Sequence, residues 1–296
     1  MFISSTQPNQ PFYSALMPAL FGQKPVRVFL KCTFKLYKTH KNSDTIPFMA
    51  KNKDIIHVLN RKLALKQAPQ GFRTSLDSVM LGAACPAKPS QSVIDLGCGV
   101  GSAGLCALKR VQDITLTGVD IQANHIDIAT ENADLNNMKD RCSFMQGDIR
   151  DLDIDKADHV ICNPPYQEQG KHLHSPSSAK AKAMGHMDED ISLQDWITCA
   201  FNHIKGQGSL SLIHEAGRLD DILHTLYSKN DGKRFGGIEI FPLWPKEASP
   251  AKRVIIRAWK HKKSPATMHS GLILHNDDGS YTKEAEHILR DGNALF

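Results

Sequence analysis

A chain of 296 residues, 41% hydrophobic and 23% charged, has room for one large α/β domain with additions or for two small domains. Its formal net charge of +5 permits a nucleic-acid partner without demanding one, and no apolar run approaches the roughly 18 residues of a membrane span. Seven cysteines without a CxxC pair argue against a zinc site or a disulfide framework, so a cytoplasmic protein with reduced thiols and no metal is expected.

Met1 to Ser43 contains no Asp or Glu but carries Lys24, Arg27, Lys31, Lys35, Lys38 and Lys41. Residues 1–48 are therefore set apart as a basic N-terminal extension. It is either a transit segment or the product of an upstream start, with Met49 as the usual first residue. Residues 49–296 are read as a single domain.

Within that domain, "QAPQGFRTSLDSVMLGAA" (67–84) precedes the first strand, and its plainest alternative to a functional segment is a helix capped by Thr74 or Ser75 and packed on the sheet. "SVIDL" (92–96) is a short apolar run ended by glycines, the pattern of a buried strand. "SAGLCALKR" (102–110) has helical spacing and a basic end suited to a helix C-terminus. "ITLTGVD" (114–120) follows as strand and "NHIDIATENADLNNM" (124–138) as helix. "CSFMQGD" (142–148) and "HVICN" (159–163) are strands, and "ISLQDWITCAFNHI" (191–204) is a helix. "GSLSLIHE" (208–215) is strand, "RLDDILHTLY" (218–227) helix, and "GIEIFPL" (237–243) and "RVIIRAW" (253–259) are strands. Strands separated by helices of this length imply a mostly parallel, doubly wound α/β sheet.

The loop "DLGCGVGSAG" (95–104) lies where a strand stops and a helix starts. Backbone without Cβ admits a ligand closely, and a helix N-terminus offers free N–H groups. Gly99-x-Gly101-x-x-Gly104, with Asp120 further on, fits a dinucleotide fingerprint. Asp95 at the strand tip would be unwelcome to a pyrophosphate, and Gly97 opens a tighter Gly97-x-Gly99-x-Gly101 pattern. A strand-end carboxylate suits a ligand with a cationic group there, such as the methionyl ammonium of S-adenosylmethionine.

"VIDLGCGVGSAGL", "GVDIQ", "QGDI" and "ICNPPY" together resemble the successive motifs of class I S-adenosylmethionine-dependent methyltransferases. The resemblance implies a Rossmann-like sheet of seven strands with an antiparallel last strand, and S-adenosylmethionine as cofactor. It implies that Gly97, Gly99 and Gly101 line the methionine and ribose portion, with Asp95 near the methionyl end. Asp120 would accept from both ribose hydroxyls, as a two-oxygen acceptor suits a vicinal diol. Asp148 would meet the adenine amino group, with Ile121, Ile149 and Asn163 also at the cofactor. From about Ile55 onward, including "SPAKRVIIRAWK" (249–260) and "GSYTKEAEHILRDGNALF" (279–296), the chain resembles the bacterial tRNA1(Val) adenine-37 N6-methyltransferase family. By that resemblance Arg73, Thr74 and Asp77 cover the cofactor or its entrance.

The tetrapeptide Asn163, Pro164, Pro165 and Tyr166 ends its strand abruptly, since proline lacks an N–H and locks φ. An exocyclic amine is a poor nucleophile while its lone pair is delocalised into a ring. Acceptors at its two hydrogens favour pyramidal geometry and spread the developing charge. The Asn163 side-chain oxygen and the Pro164 carbonyl are the expected pair, held rigid by the prolines, with Tyr166 stacking on the base. In isolation the same residues would be a proline turn with a surface tyrosine.

Two basic stretches flank this chemistry, as phosphate contacts require. Lys171, Lys180 and Lys182 follow the tetrapeptide, and Lys252, Arg253 and Arg257 lie near the C-terminal strands. The expected function is N6-methylation of an adenine in RNA, tRNA first. The alternatives are an rRNA guanine-N2 or adenine-N6 methyltransferase, a glutamine methyltransferase and a cofactor-binding RNA scaffold. A glutamine enzyme would need a larger helical substrate domain than Met49 to Ser92 provides. A scaffold would not need the tetrapeptide.

Overall fold

The computed structural model describes residues 55–68, 74–166, 191–228 and 235–296. The N-terminal extension, Arg73 and the loop lysines Lys171, Lys180 and Lys182 lie outside the described residues. The elements in chain order are strands β1 (Ile55–Val58) and β2 (Leu63–Lys66), helix α1 (Leu76–Ala84), β3 (Ser92–Leu96), α2 (Ser102–Arg110), β4 (Thr115–Asp120) and α3 (Ala123–Leu135). There follow β5 (Cys142–Gln146), β6 (Ala157–Cys162), α4 (Leu193–His203), β7 (Ile204–Glu215), α5 (Leu219–Tyr227), β8 (Phe235–Trp244) and β9 (Arg253–Lys260). The short strands β10 (Thr267–Met268) and β11 (Leu272–Ile273) and helix α6 (Lys283–Leu289) close the chain.

Seven strands form the expected sheet in the order β5-β4-β3-β6-β7-β9-β8. Pairings from β5 through β7 are parallel, and β9 runs antiparallel between β7 and β8. The last strand is therefore the antiparallel one, as expected. β10 and β11 extend the β8 edge, and β1 pairs with β2 in a separate hairpin.

Consecutive strand residues divide between two cores, which is what a sheet covered on both faces requires. Val93, Ile161, Ile213 and Ile255 join one core with Leu63, Met80, Leu105 and Ile288. Their neighbours Ile94, Val160, Leu212 and Ile256 join the other with Trp196, Ala200, Ile222 and Phe235. This two-sided burial explains why the strands read as continuous apolar runs rather than alternating ones.

The hairpin β1–β2, the edge strands β10 and β11 and helix α6 were not foreseen. The hairpin is held by side chains that imitate a strand. Asn132 on α3 and Asn136 at its C-terminal cap accept from the N–H groups of Lys66 and Ala64 (2.6 and 2.9 Å) and donate to the same residues' carbonyls (3.0 and 2.7 Å). α4 starts at a capping box of Ser192 and Asp195, and β7 begins at Ile204 rather than at Gly208. α3 stops at Leu135 because Asn137 turns to a φ of +56°.

No described helix is long and apolar enough to cross a membrane. Among the described residues no cluster of His, Cys, Asp and Glu could hold a metal ion.

Candidate active site

Register brings the site together. Leu96 pairs with Val119 of β4 and with Cys162 of β6, so the residues that follow, Gly97, Asp120 and Asn163, emerge side by side at one sheet edge. The chain crosses to β4 on one side of β3 and to β6 on the other, a switch point where open α/β sheets bind ligands.

The glycine loop turns on three positive φ values, +65° at Gly97, +53° at Gly99 and +82° at Gly101. At Gly97 space is decisive as well, since an added Cβ would lie 2.6 Å from the Trp196 ring. At Gly99 nothing lies within 4 Å of that position, so the backbone there is open to a ligand. Gly101 is the N-cap of α2. We expect Gly97→Ala to destabilise the fold by about 2–4 kcal/mol, left-handed strain and overpacking combined. Thermal unfolding checks this; a Tm equal to wild type would mean that Trp196 does not wall the loop.

Two carboxylates organise the loop. Asp95 is 2% exposed, and its Oδ2 accepts from the Gly104 N–H at 2.9 Å. Burial, with the Asp120 charge adding to it against that hydrogen bond, pushes its pKa up to about 7. Asp120 accepts from the Gly99 N–H through Oδ2 and from the Gln122 N–H through Oδ1, both at 2.9 Å. His125 Nδ1 lies 3.3 Å from Asp120 Oδ1.

These groups surround a cavity of about 540 Å³, of the size that takes a drug-sized ligand. Thr74, Asp95, Gly97, Gly99, Asp120, Ile121, Ile149 and all four residues from Asn163 to Tyr166 line it. The donor set fits a molecule with a cationic end and a diol: a buried carboxylate, an acceptor pair and an open glycine backbone.

Five expected site residues have surroundings that the sequence did not indicate. Gly101 stands off the cavity, its missing Cβ facing Phe144 and Ala129. Asp148 lies outside the lining; Arg150, two residues on, grips its carboxylate from Nε and Nη2 (3.1 and 2.6 Å), which holds its pKa below the usual range. The Asp77 carboxylate faces Arg253 and the Tyr166 hydroxyl (both 3.1 Å) rather than the cofactor cavity. Arg257 is no phosphate contact, being 9% exposed and bidentate to Glu239 (2.6 and 2.8 Å). Tyr166 does not offer a bare ring: the Arg253 guanidinium sits 4.8 Å from its centroid, and the His214 ring is also at 4.8 Å. Lys252 is exposed.

The residue patterns missed Ser78, Ser102, Gln122, His125 and Trp196, all of which line the cavity. Gln67, in the segment before α1, exchanges two hydrogen bonds with Thr74 (2.8 and 2.9 Å). Trp196 lies on an amphipathic helix, where an aromatic reads as core, and it is in fact packed there while its ring closes the loop. Ser75 occupies the N-cap of α1 but makes no side-chain cap bond.

Residues 76–194 match the model of the methyltransferase small domain. Among curated relatives, the tRNA1(Val) (adenine(37)-N6)-methyltransferase of Shewanella sp. (strain W3-18-1) is 26% identical over 75% of this chain and 92% of its own length. The Vibrio parahaemolyticus protein of the same name is 23% identical over 74% and 88%. The Shewanella baltica (strain OS195) one is 28% identical over 75% and 92%. A crystal structure of a predicted O-methyltransferase from Agrobacterium tumefaciens shares the fold, with TM-score 0.59, 23% identity and coverage of 74% of this chain and 98% of that one.

Proposed function

We propose that this chain, a class I S-adenosylmethionine-dependent methyltransferase, methylates N6 of an adenine in RNA, with tRNA the favoured carrier. The observation that carries this reading is the emergence of Asn163 and Pro164 beside the glycine loop, in one cavity with Asp95 and Asp120. The names of the relatives support the RNA and the adenine.

S-adenosylmethionine, when bound, supplies an electrophilic methyl group. Asp120 would hold the donor through its diol, and Asp95 would meet its ammonium. The Asn163 and Pro164 oxygens accept from the two hydrogens of the entering amine and draw its nitrogen toward tetrahedral geometry. No base is required in that step, because the proton leaves readily once the nitrogen is methylated. An unpaired loop base enters at the least cost, as extrusion takes only a few kcal/mol. Lys252, exposed beside the start of β9, suits a phosphate of the flanking backbone.

Mass spectrometry of nucleosides from tRNA and rRNA incubated with enzyme and isotopically labelled donor tests the proposal. Labelled N6-methyladenosine in tRNA is expected. Label in N2-methylguanosine, or in rRNA alone, would replace the substrate; no label in any nucleoside would overturn the RNA reading.

Asp95 gives the reading a pH signature. With its pKa at about 7 in the free protein, the side chain is largely protonated below neutrality. A cationic ligand group favours the carboxylate, so binding must release a proton there. Kd should fall about tenfold per pH unit up to about 7 and then level. Asp95→Asn should abolish that limb. Titration calorimetry in buffers of different ionisation heat checks it, and a wild-type Kd flat from pH 5.5 to 7 would exclude the ammonium contact.

A further inference from the structure

Behind the expected acceptor lies a cluster whose mutual polar contacts have no assigned role in transfer. Asp77 opens α1, is 8% exposed, and sits on the same helical turn as the cavity-lining Ser78. The Tyr166 hydroxyl is 3.1 Å from Asp77 Oδ2 and 2.9 Å from Asn163 Oδ1. Arg253 Nε donates to the same Asp77 oxygen at 3.1 Å, while its guanidinium covers the tyrosine ring at 4.8 Å. Burial and the Asp77 charge hold the Tyr166 pKa far above the phenol range, so the hydroxyl keeps its proton.

A hydroxyl has one proton and here two oxygens within reach. A carboxylate is the stronger acceptor, because hydrogen bonds to charged partners are about twice as strong as neutral ones. Once the proton goes to Asp77, the phenol oxygen presents only lone pairs to Asn163. A carbonyl oxygen at 2.9 Å would then be repelled. A half-turn of the amide exchanges its oxygen for the NH2 group, which donates to the phenol oxygen. The carbonyl oxygen is released toward the cavity.

We propose that Asp77 and Tyr166 are positioning residues that set the direction of the Asn163 amide, Asp77 by taking the tyrosine proton and Arg253 by holding both in place. This rests on the reading of Asn163 as the amine acceptor. It moves Asp77 from the cofactor to the acceptor and makes the tyrosine hydroxyl as consequential as its ring. α1 thereby links the donor cavity, which Thr74 and Ser78 line, to the acceptor tetrapeptide.

The test combines kinetics with a readout that needs no substrate. Asp77→Asn removes the charge at constant volume and lets the Tyr166 proton fall back on Asn163. It should lower kcat at least about tenfold, with the S-adenosylmethionine Kd within twofold of wild type. In the Tyr166→Phe background the same change should cost nothing further, because residues acting in series are not additive. A full additional loss there, or a raised RNA KM with kcat intact, would overturn the proposal.

Independently, the Asn163 side-chain amide signal, assigned by its absence in Asn163→Ala, should exchange slowly in the wild-type protein. It should exchange fast in both Asp77→Asn and Tyr166→Phe, the latter being the milder variant should the former fold poorly. Unchanged exchange in a folded variant would refute the inference. Failure of the wild-type enzyme to label RNA would instead count against the substrate, with the amide comparison unaffected.

Discussion

Asn163→Ala should abolish methyl transfer and leave the affinity for S-adenosylmethionine within about twofold of wild type. Removing one preorganised polar contact that strengthens only in the transition state costs about 10² to 10³ in rate. Here the loss should be larger, because an aromatic amine would have no alternative way to leave its planar, delocalised state. Donor binding should rest chiefly on other residues that line the same cavity, among them Thr74, Asp95, Asp120 and the Gly97 and Gly99 backbone. The two quantities should therefore separate. Single-turnover transfer and calorimetric binding measured on one preparation decide it. A rate within tenfold of wild type, or a Kd raised in step with the rate loss, would remove Asn163 from the acceptor role.

Asp120→Ala has the opposite signature. Its two oxygens already accept from the Gly99 and Gln122 N–H groups, and a diol would add two more donors. Each hydrogen bond to a charged acceptor contributes about 1.5–3 kcal/mol, so losing two should weaken donor binding by roughly two orders of magnitude or more. Freeing the Gly99 N–H also loosens the turn that admits the ligand. Asp120→Asn, which keeps one acceptor oxygen, should fall between the two. The rate at saturating donor should recover most of its wild-type value, which distinguishes this variant from Asn163→Ala. An unchanged Kd for S-adenosylhomocysteine would show that the ribose lies elsewhere.

The positions of these two side chains were legible because each stands at, or just past, the marked end of a strand. Glycine after "SVIDL", the polar run after "GVD" and the prolines after "HVICN" interrupt buried strands abruptly, and function in an open α/β sheet gathers at those ends. The parallel sheet was legible for a related reason: burial on both faces leaves short apolar runs spaced by helices. The hairpin β1–β2 was not legible, because its partner is not a strand. Asn132 on α3 and Asn136 at its C-terminal cap supply the hydrogen bonds that an adjacent β-strand would, and no local pattern announces that. Trp196 reads as core because it is core; its second role depends on the position of Gly97, far away in sequence.

The charged residues show the division most plainly. Asp77 was placed by family resemblance and Arg253 and Arg257 by local charge, neither of which reports whom a side chain faces. Arg257 and Glu239 stand opposite each other across β8 and β9, so their pair forms only once the antiparallel strand is inserted. Asp77 meets Arg253 from an element 176 residues away. Periodicity, glycine placement and abrupt strand ends are local properties of a chain, and they sufficed for the parallel sheet and for placing the glycine loop and the Asn163–Tyr166 tetrapeptide at its strand ends. Which carboxylate answers which cation is a property of distance in space, and folding alone decides it.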